Sequence, residues 1–287
     1  MHPWTWTEYN GNSYLQCHLL KEWRHGFFSQ QWWPQTPSDL VEAIAPNTQA
    51  YRVKQVHGNT VLTVTEWQQQ GIDASHRADA SPLQEVPLPE ADGVIAEQAT
   101  DAVWAASADC VPVLIADEST GRAAAVHAGW RGTSKKIVPV AIQRLLDQGS
   151  RIEHLRVALG PAIAGEVYQV STTVAAQVGA TVVADIAPHH KMEGDSSNVD
   201  QKLQDDAIAH ILDALKTLDH SPILEDPQPG RVRLDVRRVN ALQLEHIGVS
   251  PEQVAIAPYC TYQDPDRFFS YRRTRHKKVQ WSGIAAR

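Results

Sequence analysis

The stretch from Ser107 to Thr133, SADCVPVLIADESTGRAAAVHAGWRGT, limits the possible folds of this chain more than any other. Two apolar runs, 111–116 and 122–127, flank a polar turn at Asp117–Gly121, which is the pattern of two β-strands joined in a hairpin. Cys110 stands just before the first run and His127 ends the second. In a hairpin the start of one strand lies beside the end of its partner, so the two side chains can converge. The following GWRGT supplies a turn, an aromatic ring, a cation and a helix start. On this stretch alone three readings stay open: a metal site, a catalytic cysteine, or a core hairpin whose Cys and His only pack.

Composition removes several classes of function. A formal net charge of −7 without an extended basic run argues against nucleic acid as the main partner, since that footprint needs Lys and Arg clustered on one face. The one dense basic segment, Arg272–Lys278, is short. No stretch approaches the ~20 consecutive apolar residues of a membrane span. The opening MHPWTWTEYNGN lacks the basic start and apolar centre of a secretory signal. Cys17, Cys110 and Cys260 are odd in number and widely spaced, which predicts reduced thiols and a cytoplasmic protein rather than a disulfide framework. Two methionines leave little thioether sulfur for a copper centre of the blue or Cu(I) type.

Along the chain, strands and helices alternate without a linker, so the expectation is one domain over residues 1–287, of α/β or α+β class, acting as a monomer or weak homodimer. Strands are predicted at Tyr14–Leu20, His25–Ser29, Gly93–Ala96, Ala102–Ser107, Leu155–Leu159, Val254–Ala257, Phe268–Tyr271 and Val279–Ile284. Tyr51–Val56 and Thr60–Thr65 read as a strand pair around the tight turn His57-Gly58-Asn59. Helices are expected at Asp39–Ile44 with Ser38 as cap, from a Ser134 cap through Leu146, and over 171–179, 200–217 and Leu234–Ile247. Gln30–Asp39, Gln68–Pro89 and His189–Asn198 read as loops.

His57 in KQVHGN joins Cys110 and His127 as a third residue placed at a strand end. Two His and one Cys form a chemically sensible set for a zinc with an open fourth position. Neither HExxH nor paired CxxC is present, so spacing by itself leaves the bland reading open. Among neighbouring residues, Asp109 suits a general base or ligand orienter and equally a turn cap. Asp92 in ADG reads as a turn residue before a strand. Arg131, in its glycine-flanked turn, suits an anion. Trp130 suits a purine ring or a lid on the core.

The string ADGVIAEQ, SADCVPVLIAD, AAVHAGWRGT, preceded by KQVHGNTV and followed by ALGPAI and CTYQDPDRFFSYRR, resembles the YfiH-like family from about His25 onward. Members are known as laccase-domain proteins, polyphenol oxidoreductases, purine nucleoside phosphorylases and peptidoglycan editing factors. The resemblance implies a layered αββα fold of the cysteine-hydrolase-like type. It implies a zinc held by His57, Cys110 and His127, and phosphorolysis of inosine, guanosine, adenosine or methylthioadenosine together with adenosine deamination. Small-molecule nucleoside and phosphate would be the partners. The residues themselves suggest Cys110, Asp109 and Arg131 for catalytic roles and Arg52, Arg131, Arg272 or Arg273 for the phosphate, a choice the sequence leaves open. Two alternatives come with the family's names: a Cys110-dependent amide hydrolase acting on peptidoglycan precursors, and a copper-dependent polyphenol oxidase.

The sequence departs from the family's pattern twice. HGFFS is followed by Gln30-Gln31-Trp32-Trp33-Pro34 in place of a Gly-Gly segment with a nearby Arg. After SYRR, a glycine-containing turn is replaced by Thr274-Arg275-His276.

Overall fold

A computed structural model describes residues 3–70, 88–183 and 198–287. In it the 107–133 stretch forms the expected hairpin: strand Val111–Asp117 pairs antiparallel with Ala123–Ala128, and Pro112 sits opposite His127. The turn is held by Asp117, whose carboxylate accepts from the Ser119 N–H (2.8 Å), the Ser119 hydroxyl (2.7 Å) and the Thr120 hydroxyl (2.7 Å).

The strands in chain order are β1 (Trp4–Tyr9), β2 (Asn12–Cys17), β3 (His25–Phe28), β4 (Gln49–Tyr51), β5 (Val61–Thr63), β6 (Gly93–Ala96), β7 (Asp101–Ser107), β8 (Val111–Asp117) and β9 (Ala123–Ala128), then β10 (Leu155–Leu159), β11 (Gln169–Ser171), β12 (Ile223–Glu225), β13 (Arg231–Leu234), β14 (Val254–Ile256) and β15 (Gln280–Ala285). They build two six-stranded sheets, ordered β1-β2-β3-β15-β7-β4 and β14-β10-β8-β9-β6-β5, and a small sheet β11-β13-β12.

Both faces of the β8–β9 hairpin are buried, which explains its unbroken apolar runs. Alternate side chains separate cleanly. Leu114, Ala116, Ala123 and Ala125 face the first sheet and pack with Leu15, Phe27, Val103 and Ile284. Val113, Ile115, Ala124 and Val126 face the other way, against Ile137, Ala141, Ile142, Val178 and Val239 of the covering helices. On the outer face of the first sheet, Tyr14, Phe28 and Trp104 pack against Leu40, Val41 and Ile44 of the Pro37–Ile44 helix. The layers are therefore helix, sheet, sheet, helix, as the resemblance implies. Each fully buried Ile or Leu in this stack contributes about 1.5–3 kcal/mol.

Several local expectations need correction. Tyr51–Val56 and Thr60–Thr65 do not pair with each other: β4 runs parallel to β7 in the first sheet, and β5 runs parallel to β6 in the second. Gln55 locks its segment to β7 through both amide atoms, at 2.9 and 2.7 Å to Ala106. The chain thus crosses from one sheet to the other at His57-Gly58. Phe268–Tyr271 is not a strand; Ser270 accepts the Arg273 N–H and starts a short Tyr271–Thr274 helix. Ser134 closes the Trp130–Ser134 helix by donating to the Arg131 carbonyl (2.9 Å), and the next helix, Ile137–Asp147, begins after Lys136. The first helix starts at Pro37 with Thr36, not Ser38, as cap; the Asp39 carboxylate accepts the Thr36 N–H at 2.8 Å. Within the predicted Gln30–Asp39 loop, Gln30–Trp32 forms a single helical turn. The other helices lie near their predicted places, at Thr172–Val183, Asn198–Thr217 and Val236–His246, the last capped by Asp235. Most of the predicted Gln68–Pro89 and His189–Asn198 loops lie outside the described residues.

Candidate metal centre

His57, Cys110 and His127 come together although they lie on three different segments. One ligand atom from each, two ring nitrogens and a sulfur, lies within 4.8 Å of the others. Cys110 immediately precedes β8, and His127 sits near the end of β9, so the hairpin brings these two together. His57 arrives where the chain crosses between sheets. The His57 and His127 rings meet edge to face at a centroid separation of 4.9 Å. Exposure is graded across the trio: His57 is exposed, Cys110 half-buried and His127 buried. One side of the centre is thus open to solvent.

Glycines make the approach possible. A Cβ at Gly129 would lie 2.8 Å from the Cys110 Sγ and 3.4 Å from the His57 ring. A Cβ at Gly132 would lie 3.0 Å from the Gly58 carbonyl oxygen. The HAGWRG turn therefore packs directly onto the Cys110 and His57 loops. Thr133 at its end is tied to the Val236–His246 helix by Asn240 Nδ2 (3.1 Å to its hydroxyl) and Gln243 Nε2 (2.9 Å to its carbonyl).

Asp92 lies beneath the centre, not at a free turn as its sequence context suggested. It precedes β6, and because Gly93 pairs with Val126 it stands opposite His127. Its side chain is fully buried. Asp92 Oδ1 lies 2.9 Å from His127 Nδ1, and the carboxylate accepts N–H bonds from Val56 (3.2 Å), His57 (2.9 Å) and Gly58 (2.6 Å). His57 itself has φ +59°, a left-handed conformation that costs a non-glycine residue about 1–3 kcal/mol and persists only where neighbours enforce it.

Charge in the centre is strongly coupled. Burial pushes the Cys110 thiol up, but His127 and His57 outweigh it and bring the thiol down to about 6. Burial disfavours a charged His127, yet the Cys110 thiolate and Asp92 raise it to about 9. Asp92 is itself held below the usual carboxylate range: burial opposes its charge, and the His127 ring and the Gly58 and His57 N–H groups overcome that. Without a metal, the pair at neutral pH is therefore a thiolate beside an imidazolium.

The remaining sequence-selected residues divide. Arg131 is exposed and lies over Trp130, its guanidinium carbon 4.3 Å from the ring centre. Arg272 lies over Tyr168 at 4.8 Å and donates to the Gln169 carbonyl at 2.9 Å. Neither guanidinium has an ion-pair partner among the described residues. Arg273 is placed differently: it donates to the carbonyls of Thr261, Tyr262 and Phe268, each at 2.7 Å, and ties a loop. Arg52 lies over Trp281 of the first sheet at 5.7 Å. Asp109, with φ +90°, accepts from the Thr261 hydroxyl (2.8 Å) and the Arg272 N–H (2.6 Å). It ties the Cys110 loop to the C-terminal segment. Cys260 is buried and accepts the Ala164 N–H at 3.2 Å, a packing role.

Tyr168 belongs to this neighbourhood and had no sequence signal. Burial pushes its phenol up to about 12; charge on Cys110 adds to the rise, while Arg272 and Arg131 oppose it. The departing 30–34 segment lies against the chain on either side of SYRR. Gln30 Nε2 donates to the Pro265 (2.7 Å) and Asp266 (3.0 Å) carbonyls, Trp33 meets Phe269 edge-on at 5.8 Å, and Lys278 caps both rings.

The donor set fits a metal of the zinc type. Two imidazoles and a thiolate are zinc's usual ligands, and His127 shows the carboxylate partner on its second nitrogen that metal-binding histidines commonly have. Tetrahedral zinc with bonds of about 2.0–2.3 Å needs ligand atoms about 3.3–3.7 Å apart, a modest closure of the observed trio.

This fold is the one seen in crystal structures of YlmD from Geobacillus stearothermophilus (TM-score 0.72, 22% identical, covering 99% of this chain and 100% of that one) and of Bacillus licheniformis hypothetical protein YfiH (TM-score 0.69, 20% identical, 97% and 98% covered). The chain belongs to the family described as multi-copper polyphenol oxidoreductase laccase, whose model matches residues 36–208 and 182–285. One relative, named a purine nucleoside phosphorylase, from Synechocystis sp., is 46% identical over 285 residues, which is 99% of this chain and 97% of the relative. Another, named adenosine deaminase RL5, from an unknown prokaryotic organism, is 25% identical over 202 residues, 70% of this chain and 64% of its own length. Among the described residues, no helix is long and apolar enough to cross a membrane.

Proposed function

We propose that the chain is a zinc-dependent cytoplasmic enzyme of purine nucleosides, phosphorolysing inosine, guanosine, adenosine or methylthioadenosine and deaminating adenosine. The observation that carries this reading is the His57–Cys110–His127 trio, open on one side and flanked by Arg131 and Arg272, two cations without acidic partners among the described residues. A zinc bound there supplies Lewis acidity, enough to bring the pKa of a water molecule to ~7.

The chain's own residues have definable tasks. Arg131 and Arg272 bind phosphate, a charge-assisted role that their aromatic supports orient. Trp130 offers an apolar face to the purine. Tyr168 remains protonated at neutral pH and donates a hydrogen bond. In phosphorolysis a phosphate oxygen bonds to the sugar carbon as the glycosidic bond breaks; the purine leaves with the bonding electrons and gains a proton. The free base results together with ribose 1-phosphate, or with methylthioribose 1-phosphate when the substrate is methylthioadenosine. In deamination water adds at C6 of adenosine and ammonia leaves, giving inosine.

The deciding experiment incubates purified protein with adenosine, inosine and methylthioadenosine, with and without phosphate, and identifies products by chromatography, with zinc content measured on the same sample. Base release that depends on phosphate supports phosphorolysis, and inosine from adenosine supports deamination. Absence of both products from zinc-replete protein sinks the proposal.

One observation favours a second reading. The β8–β9 hairpin sets the Cys110 sulfur beside the His127 ring, with mutual attraction lowering the thiol and raising the imidazole, the arrangement a thiolate nucleophile and imidazolium acid need for amide hydrolysis, here of peptidoglycan precursors. Stoichiometric zinc on the thiolate would block that attack. The copper phenol oxidase reading ranks last, since a multi-copper centre needs more ligands than the one three-donor group found among the described residues.

A further inference from the structure

We propose that Asp92 is the positioning residue of this centre: one buried carboxylate sets which nitrogen of His127 faces Cys110 and holds the backbone that presents His57. The inference rests on the metal reading above and concerns a residue outside the donor trio.

The argument begins with His127. Its ring has two nitrogens, and a metal needs one of them unprotonated. Asp92 Oδ1 at 2.9 Å accepts a hydrogen bond from Nδ1–H, which keeps the proton on Nδ1 and leaves Nε2 as the nitrogen free for Cys110 and an ion. The hold is doubled, because the Asp92 carbonyl also accepts the His127 backbone N–H at 2.7 Å. Ring and backbone are therefore fixed by the same residue.

The His57 backbone is held by the same carboxylate: its N–H shares Oδ1 with the His127 ring, while the Val56 and Gly58 N–H groups take Oδ2. Three consecutive N–H groups, from Val56, His57 and Gly58, converge on Asp92 at 3.2, 2.9 and 2.6 Å. Successive N–H groups around a left-handed residue form a concavity that favours an anion, and Asp92 is the anion in it. That charge is what the three N–H groups converge on, so it favours the left-handed conformation that aims the His57 ring at Cys110 and His127. Asp92 thus couples two ligands 70 residues apart in sequence, His57 and His127, through a side chain that solvent does not reach.

Asp92→Asn tests this with almost no change of volume. The amide offers one acceptor oxygen, and its NH2 must face at least one group that is already a donor. Zinc is the probe. Binding is measured by competition with a chromophoric chelator, folding is followed by circular dichroism and melting, and nitrogen-15 shifts of the His127 ring are recorded on zinc-loaded wild type. The expected result is a variant with native circular dichroism whose zinc affinity is lower by about 10–100-fold, together with a wild-type ring protonated at Nδ1. A merely structural Asp92 would shift melting but leave zinc affinity unchanged in the folded variant, and that result overturns the proposal. If Asp92→Asn does not fold, the wild-type ring decides alone: protonation at Nε2 overturns the proposal and protonation at Nδ1 supports it. Wild type that binds no zinc overturns the metal reading and this inference together, whereas equal affinity in wild type and variant overturns only the inference.

Discussion

Cys110 and Gly129 touch in a way that only glycine permits: a Cβ at position 129 would lie 2.8 Å from the Cys110 sulfur. The sulfur is a proposed ligand and cannot move aside without opening the trio. Gly129→Ala should therefore keep the fold, with overpacking of about 1–3 kcal/mol, while lowering zinc affinity at least ~10-fold, the lower bound for a disturbed ligand shell. Chelator competition and thermal melting on one preparation check both halves. Unaltered affinity would show that the contact is unimportant to the centre.

Cys110→Ala should abolish zinc binding and nucleoside turnover together, because it removes the thiolate of a three-ligand site. Elemental analysis and a product assay on the same sample are the measurement. Full activity in the purified, metal-depleted variant would end the zinc mechanism.

The arginines should separate by kind of effect. Arg131→Ala and Arg272→Ala each remove a cation that has no ion-pair partner among the described residues, and should raise the KM for phosphate by about 10–150-fold, the equivalent of 1.5–3 kcal/mol for a charge-assisted bond. Arg273→Ala instead strands the carbonyls of Thr261, Tyr262 and Phe268 and should cost about 2–4 kcal/mol of stability. Steady-state kinetics against phosphate and urea unfolding separate the two classes.

In metal-free protein the Cys110 thiolate should appear with a midpoint near pH 6, far below an ordinary thiol. The signs follow from the two directions. Stability from the lowered Cys110 is lost as pH falls through about 6, and stability from the raised His127 is lost as pH rises through about 9. Ultraviolet thiolate absorbance of wild type minus Cys110→Ser across pH gives the midpoint; a value near 9 contradicts the coupling.

His25 gives a second pH dependence, remote from the centre. Its Nε2 accepts the Cys17 N–H at 2.9 Å and its Nδ1 lies 2.9 Å from the Trp23 carbonyl oxygen, so the buried ring is satisfied only when neutral. Burial brings its pKa from the ordinary 6.5 to about 4, with the Trp23 carbonyl opposing the fall. The unfolded chain therefore takes up the proton first, and stability should fall by up to ~3 kcal/mol as pH drops from about 6.5 to about 4. The difference in urea unfolding between wild type and His25→Gln, followed over that range, isolates this contribution from the carboxylates.

Legibility followed distance along the chain. The β8–β9 hairpin, the Asp117 turn and the amphipathic helices could be read because their signals are local: alternation, a turn residue, a cap. The supposed hairpin at 51–65 failed because β4 and β5 find partners in different sheets, β7 and β6, a choice no local pattern records. Phe268–Tyr271 looked like a strand from its aromatic residues, yet Phe268 is buried as a core plug and Ser270 caps a helical turn.

By itself the sequence determined the class of fold, the convergence of Cys110 with His127, and the absence of any long apolar span. Hydrophobic periodicity and short turns suffice for these, since they depend on neighbours a few residues away. The tertiary structure alone decided that His57 crosses between sheets onto that hairpin, that Asp92 stands opposite His127, and that Tyr168 joins Arg131 and Arg272 beside the thiol. Those relationships come from strand register and sheet order, where buried hydrogen bonds must be satisfied across long separations.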